Sequence, residues 1–227
     1  MSLAATAALL ADRTRAAFCL ALLDGRAWTA GELARHAGVA PSTASEHLSR
    51  LVAGGLLAEE RQGRHRYVRL ADNAAALVED LSAYALDAGA APAPHSLRES
   101  VRRSAEARAR TCYDHLAGRL GVAVADAALE RRLVTDDAGL AVTEAGRAWL
   151  AGLGIDVAAL RGGRPVLRRC LDWTERRHHL AGAVGAALCA RAFELGWVER
   201  IGSGRALKVT ADGERAFRDQ LAVDLRA

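Results

Sequence analysis

The chain is 227 residues long, 51% hydrophobic and 26% charged, with a formal net charge of +4; this supplies core for one large domain or, the better fit, two small ones. It contains no run of about 18 apolar residues, and the opening MSLAATAALLADRTR lacks a charged start followed by an apolar block. Neither a membrane span nor a signal peptide is therefore expected, and the cytoplasm is the expected compartment.

Cys19, Cys112, Cys170 and Cys189 are scattered without a CxxC pair, which in a reducing compartment predicts free thiols rather than a disulfide framework. Charge distribution is more informative than net charge. Residues 1–95 hold nine Arg against ten acids, yet Arg61, Arg64, Arg66 and Arg69 fall within one nine-residue stretch.

Leu9, Leu10, Phe18, Leu20, Leu22 and Leu23 recur at helical spacing and stop at Asp24-Gly25, predicting a helix pair or one broken helix over residues 3–23. Thr29 is placed to cap a short helix over AGELARHAG that Gly38 ends. Pro41 opens a second helix, PSTASEHLSRLVA, ended by Gly54-Gly55, so the pair across Gly38-Val39-Ala40 reads as a helix-turn-helix. On this second helix Ala44, Leu48 and Leu51 share one stripe, and Ser42, Glu46 and Ser49 centre the opposite face, flanked by Thr43, Ser45 and Arg50. Short hydroxyls suit close approach to phosphates and base edges in a major groove; an ordinary solvated face is the alternative. Two alternating segments, LLAEER and RYVRL, flank Gln62-Gly63-Arg64-His65 and predict a hairpin with a cationic tip. Its Arg61, Arg64 and Arg66 are placed to straddle a DNA backbone or enter the minor groove.

The run from Arg13 to Leu70, with the helix after it, resembles the DNA-binding domain of ArsR/SmtB-type bacterial regulators over roughly the first 85 residues. The resemblance implies a homodimer built from the first and last helices of the domain, around Leu3 to Leu23 and Asn73 to Ala88. It also implies that Ser42, Thr43, Ser45, Glu46, His47 and Ser49 lie on or beside the surface that reads double-stranded operator DNA, with Arg64 and His65 at the wing tip. His47 lies closer to the apolar stripe, which favours packing or a phosphate contact over base readout. Members that sense metals carry Cys in the first helix of the motif or His in the last helix of the domain. GELARHAG has no Cys and ADNAAALVEDLSAYALDAG no His, so those metal sites are absent, and no metal and no cofactor are expected. Ala40 stands where a capping Ser is usual, which costs a helix ~1 kcal/mol.

After the Pro- and Ala-rich GAAPAPHS the chain turns basic, with 22 Lys plus Arg against 17 acids in residues 96–227. This half repeats itself: His115-Leu116-Ala117-Gly118 recurs as His179-Leu180-Ala181-Gly182, Gly121 matches Gly185, and after a three-residue insertion Thr143 and Gly146 match Thr210 and Gly213. Each copy reads as a helix, a hairpin closed near Gly139 or Gly204, and a final helix. Two such halves about a pseudo-twofold predict a crevice for a small-molecule effector, lined from ARTCYDHLAG and RRCLDWTERRHHLAG by Cys112, Tyr113, His115, Cys170, Trp173, His178 and His179. Cys112 and His115, at i and i+3 on one helical face, offer a metal ligand pair or an activated thiolate. A Cys-x-x-His alone lacks the paired spacing of a structural zinc site, and buried thiols acting as small hydrophobes are the favoured reading. The Arg clusters at 102–110, 168–169 and 176–177 read as solvated faces, or as a surface for phosphate.

The expected fold class is mainly α with small β-hairpins: an N-terminal winged helix-turn-helix (1–90), a linker (91–98) and a C-terminal domain of two helix-hairpin-helix repeats (99–227). The expected function is a sequence-specific DNA-binding transcriptional regulator, a repressor controlled by an effector or by thiol modification. GxSxG, HExxH and a phosphate-binding Gly-rich loop are missing, so no enzyme and no catalytic residues are expected. The alternatives are a DNA-coating protein, or an enzyme using Cys112 or Cys170 with the winged helix as an accessory.

Overall fold

The computed structural model describes residues 2–62, 65–87, 96–137, 139–160 and 164–225. The chain divides into two compact units, residues 1–82 and 83–227. In the first, α1 (Leu3–Leu10) and α2 (Arg13–Leu22) are separate because Asp12 accepts a hydrogen bond from the Arg15 amide and so caps a new helix start. Next come β1 (Trp28–Thr29) and α3 (Ala30–Ala37), opened by a reciprocal Thr29–Glu32 capping box and closed by Gly38 at φ 66°. Then α4 (Pro41–Ala53) starts at Ala40 with no side-chain cap. β2 (Leu57–Gln62) and β3 (His65–Leu70) form the wing, β1 pairs with β3 to give the order β1-β3-β2, and α5 (Asp72–Asp87) follows.

Phe18, Leu22, Leu33, Ala44, Leu48, Leu51 and Leu70 are all fully buried and form the core of this unit. Burying such side chains contributes about 1.5–3 kcal/mol each. Arg15 crosses the helices. Its Nε donates to the Leu9 carbonyl (2.6 Å), its Nη2 to the Ala8 carbonyl (2.9 Å), and its Nη1 lies 3.3 Å from His47 Nδ1. A cation thus satisfies the open carbonyl end of α1 while touching α4.

The second unit begins with α6 (Leu97–Arg108), capped by Ser96. Two successive runs of hairpin, helix, hairpin and helix then follow. The first comprises β4 (Arg110–Cys112), β5 (His115–Ala117), α7 (Gly118–Glu130), β6 (Val134–Thr135), β7 (Ala141–Val142) and α8 (Glu144–Gly152). The second comprises β8 (Arg168–Leu171), β9 (His178–Ala181), α9 (Gly182–Glu194), β10 (Val198–Arg200), β11 (Leu207–Val209) and α10 (Ala211–Leu221). Thr143 and Thr210 cap the closing helices, accepting from the Gly146 and Gly213 amides. The leading hairpins differ from the expected helices: Cys112 and His115 are partners across strands, and Tyr113 between them sits at φ 52°. The edge of β4 also bonds to the second run, where the Thr111 and Leu207 amides donate to the Arg205 and Ala109 carbonyls.

At the expected crevice between the halves, the described residues include buried side chains that join one core. Leu120, Val124 and Ala128 of α7 share one core with Val184, Leu188 and Ala192 of α9, joined by Leu150 and Phe217. Glycine makes this approach feasible. A Cβ at Gly121 would collide with the Leu116 carbonyl and one at Gly185 with the Leu180 carbonyl, and each position also abuts the opposite run, at the Cβ of His179 and of His115 respectively. Gly185→Ala is therefore expected to destabilise this unit by ~1–3 kcal/mol, read as a lower urea midpoint at unchanged slope. Wild-type stability would show that the carbonyl yields.

Candidate functional site

On α4 the inward stripe is Ala44, Leu48 and Leu51, all fully buried. Ser42, Ser45, Glu46, Ser49 and Arg50 are exposed, and Thr43 is half-buried. Glu46 and Arg50 pair along the helix at 2.5 Å, and the Ser49 hydroxyl donates to the Ser45 carbonyl at 2.9 Å. His47 is turned away from this face. Its ring lies 3.3 Å from Arg15 Nη1 and 3.8 Å from Asp12 Oδ1, with the side chain only 16% exposed. It buttresses α4 against α2, in keeping with its position close to the apolar stripe.

In the wing, Arg61 and Arg66 face each other across β2 and β3, and Glu59 joins both, with contacts of 3.2 Å to Arg61 Nε and 2.8 Å to Arg66 Nη2. Hydrogen bonding from Arg61 and then Arg66 holds the Glu59 carboxyl below its ordinary range. Arg64 lies outside the described residues, as does the side chain of His65.

The second unit gathers a different set of side chains. The cross-strand pairs Cys112/His115 and Cys170/His179 converge so that the two sulfurs and two ring nitrogens lie within 4.8 Å of one another, all four residues buried. The sulfurs are 4.0 Å apart and the two Nε2 atoms 3.0 Å apart. A carboxylate stands behind each ring, with His115 Nδ1 at 3.3 Å from Asp114 Oδ1 and His179 Nδ1 at 3.2 Å from Asp172 Oδ2; the second contact lies off the hydrogen-bond direction. An arginine backs each carboxylate, Arg164 Nη1 at 2.5 Å from Asp114 and Arg110 Nη2 at 2.9 Å from Asp172.

Burial alone would raise the Asp172 carboxyl, but His179, Arg110 and Thr174 overcome it and hold the group well below its usual range. The Cys112 thiol is likewise held well below its ordinary value, first by hydrogen bonding with the Cys170 sulfur and then, against burial, by His115 and His179. Cys19 and Cys189 behave oppositely, pushed up by burial to about 11 and about 12.

Of the seven residues expected in this half, four therefore meet. Tyr113 is half-buried in the turn, Trp173 lies beneath the Arg110 guanidinium at 4.7 Å, and His178 is exposed. The residues missed from sequence are Arg110, Asp114, Arg164 and Asp172. For the two aspartates the signal was a second repeat, Cys112-x-Asp114 matching Cys170-x-Asp172. If Glu59 restrains the wing cations, Glu59→Gln should tighten DNA binding and steepen the log–log salt dependence by up to about one unit. An unchanged slope in a salt series would show that Arg61 and Arg66 do not reach phosphate.

A helix-turn-helix domain model matches residues 10–60. The uncharacterised HTH-type transcriptional regulator YdfF of Bacillus subtilis (strain 168) is 41% identical over 227 residues, spanning 99% of each chain. The HTH-type transcriptional regulator CmtR of Mycobacterium tuberculosis (strain ATCC 25618 / H37Rv) is 44% identical over 64 residues, 28% of this chain and 53% of CmtR. Among solved structures, the homodimeric winged helix-turn-helix DNA-binding domain (fragment 1–100) of Mb0332 from Mycobacterium bovis is 26% identical. That likeness covers 41% of this chain and 86% of the fragment, at a TM-score of 0.35. With a relative matched over 99% of both chains and a matching helix-turn-helix, the chain belongs to the DNA-binding, HTH-type transcriptional regulators.

Proposed function

We propose that this regulator binds a specific operator as a homodimer, that α4 enters the major groove and the wing grips the flanking backbone, and that the second unit governs binding. The observation that carries the reading is the two-sided character of α4: a fully buried aliphatic stripe behind a face of short hydroxyls. A helix needs such a face to come close enough to read base edges, because long side chains would hold its axis away. Ser42, Thr43, Ser45 and Ser49 supply donors of short reach, and Arg61, Arg64 and Arg66 supply charge for phosphate.

The homodimer has its own support. α1 carries LAATAALL yet buries none of its residues within the chain, and Leu81 and Tyr84 of α5 are 46% and 77% exposed. Apolar helices left uncovered at both ends of a domain fit a twofold pairing of like surfaces. Two half-sites one helical turn apart are the geometric consequence. The second unit reads as two copies of one module and is assigned the sensing role, since the DNA-binding unit has its own core. Repression, a cytoplasmic location and the absence of catalysis belong to the same reading.

Binding of purified protein to DNA from its own upstream region and to unrelated DNA, across a salt series, tests this. Preference for one palindromic site by a dimer is expected. Equal, salt-sensitive binding everywhere would overturn the operator reading in favour of DNA coating. Ser42→Ala and Glu46→Gln are expected to change base preference at particular operator positions by roughly tenfold, on the scale of ~1–3 kcal/mol per base pair. An unchanged preference in a selection from random sequence would remove α4 from readout.

A further inference from the structure

We propose that Cys112, His115, Cys170 and His179 form a closed tetrahedral site for one zinc-class divalent ion, which clamps the two runs of the second unit together. Each leading hairpin contributes one sulfur and one imidazole, because residues directly opposed on antiparallel strands project to the same face. Neither hairpin holds more than half of the donor set.

The sulfur–sulfur and nitrogen–nitrogen spacings are close to those of a filled site, and the whole donor set lies within 4.8 Å, so a small inward shift would close it on an ion. Metal–sulfur bonds of about 2.3 Å and metal–nitrogen bonds of about 2.0–2.1 Å put tetrahedral edges at about 3.8 Å between sulfurs and about 3.3–3.4 Å between nitrogens. The distances here, 4.0 Å between sulfurs and 3.0 Å between Nε2 atoms, lie within a few tenths of both. A disulfide would need sulfurs about 2.05 Å apart. Two buried imidazoles sharing a proton would account for the nitrogen pair but not for two sulfurs drawn to the same point.

The outer groups are arranged as metal-bound histidines require. Asp114 and Asp172 stand beside the Nδ1 atoms of His115 and His179; when a metal takes the Nε2 lone pair, the proton of each ring sits on Nδ1 next to its carboxylate. Two such lone pairs 3.0 Å apart repel unless a cation stands between them. The charge also balances: a divalent ion displaces two thiol protons to solvent, and its two positive charges meet two thiolates, so the buried centre is neutral and escapes the penalty of a bare buried ion. Exposures of 6% for Cys112 and 2% or less for the other three leave no open coordination position, which marks a structural site rather than a catalytic one.

Full-length protein purified without chelator is expected to carry about one zinc per chain and to melt at a lower temperature once the metal is stripped. Cobalt added to stripped protein should give the intense visible bands of tetrahedral coordination and a near-ultraviolet thiolate charge-transfer band. The double variant Cys112→Ser, Cys170→Ser should lose that charge-transfer band, and Asp114→Asn should keep it while binding about 10–100-fold more weakly. The wild-type measurements stand even where a variant fails to fold. Substoichiometric zinc with a weak, six-coordinate cobalt spectrum in the wild type would overturn the site, as would a Cys112–Cys170 disulfide in freshly purified, metal-free protein.

Discussion

The second unit depends on one buried carboxylate. Asp172 and Arg110 are both fully enclosed and 2.9 Å apart, and removing one partner from such a pair strands the other charge in a low dielectric. Asp172 also accepts from the Gly118 amide at 2.6 Å, where α7 begins, and from the Thr174 amide and hydroxyl. One side chain in the second run thereby caps the first helix of the first run. Arg110 is held in turn by the Glu106 carbonyl, Thr174 and the Trp173 ring. The positions of His179, α7 and the β8–β9 loop all follow from satisfying this charge.

The two halves share a plan but are buried to different degrees. Asp114 stands behind His115 as Asp172 stands behind His179, yet Asp114 is 31% exposed and its arginine, Arg164, 32% exposed. The solvent-facing pair is screened and can rearrange, whereas the enclosed pair cannot. The leading hairpin of the first run has a two-residue turn and that of the second a loop from Asp172 to Arg177, and it is the longer loop that carries the enclosed aspartate.

Most of the first unit was legible in the sequence because its signals are local. Thr29 with Glu32, Gly38, Pro41 and the alternation around the wing each act within a few residues, and the buried stripe of α4 follows from helical period alone. The helix pair over residues 3–23 was expected though its break was not placed at Asp12, and the Arg15–His47 contact across 32 residues was not legible in that way. The thiol–imidazole cluster was hidden by register. The histidines repeat at an interval of 64 residues and the cysteines at 58, so a search at one offset aligns either pair but never both. The difference of six is four extra loop residues and one extra strand pair, Leu171 with His178, in the second hairpin, and only strand pairing brings the sets together. A helical reading of residues 112–115 put Cys112 and His115 on one face for the wrong reason, since cross-strand partners share a face too.

Glu59 bears on how such a wing treats the wrong DNA. A guanidinium that already holds a carboxylate exchanges one anion for another when it meets a phosphate, so a glancing encounter yields little net gain. The exchange becomes worthwhile only where the backbone can satisfy Arg61 and Arg66 together. On the proposed reading of α4 and the wing, a wing built in this way would be quiet on most of a chromosome and engage once the neighbouring helix had settled into its groove, so that residence on unrelated sequence would be shortened by Glu59.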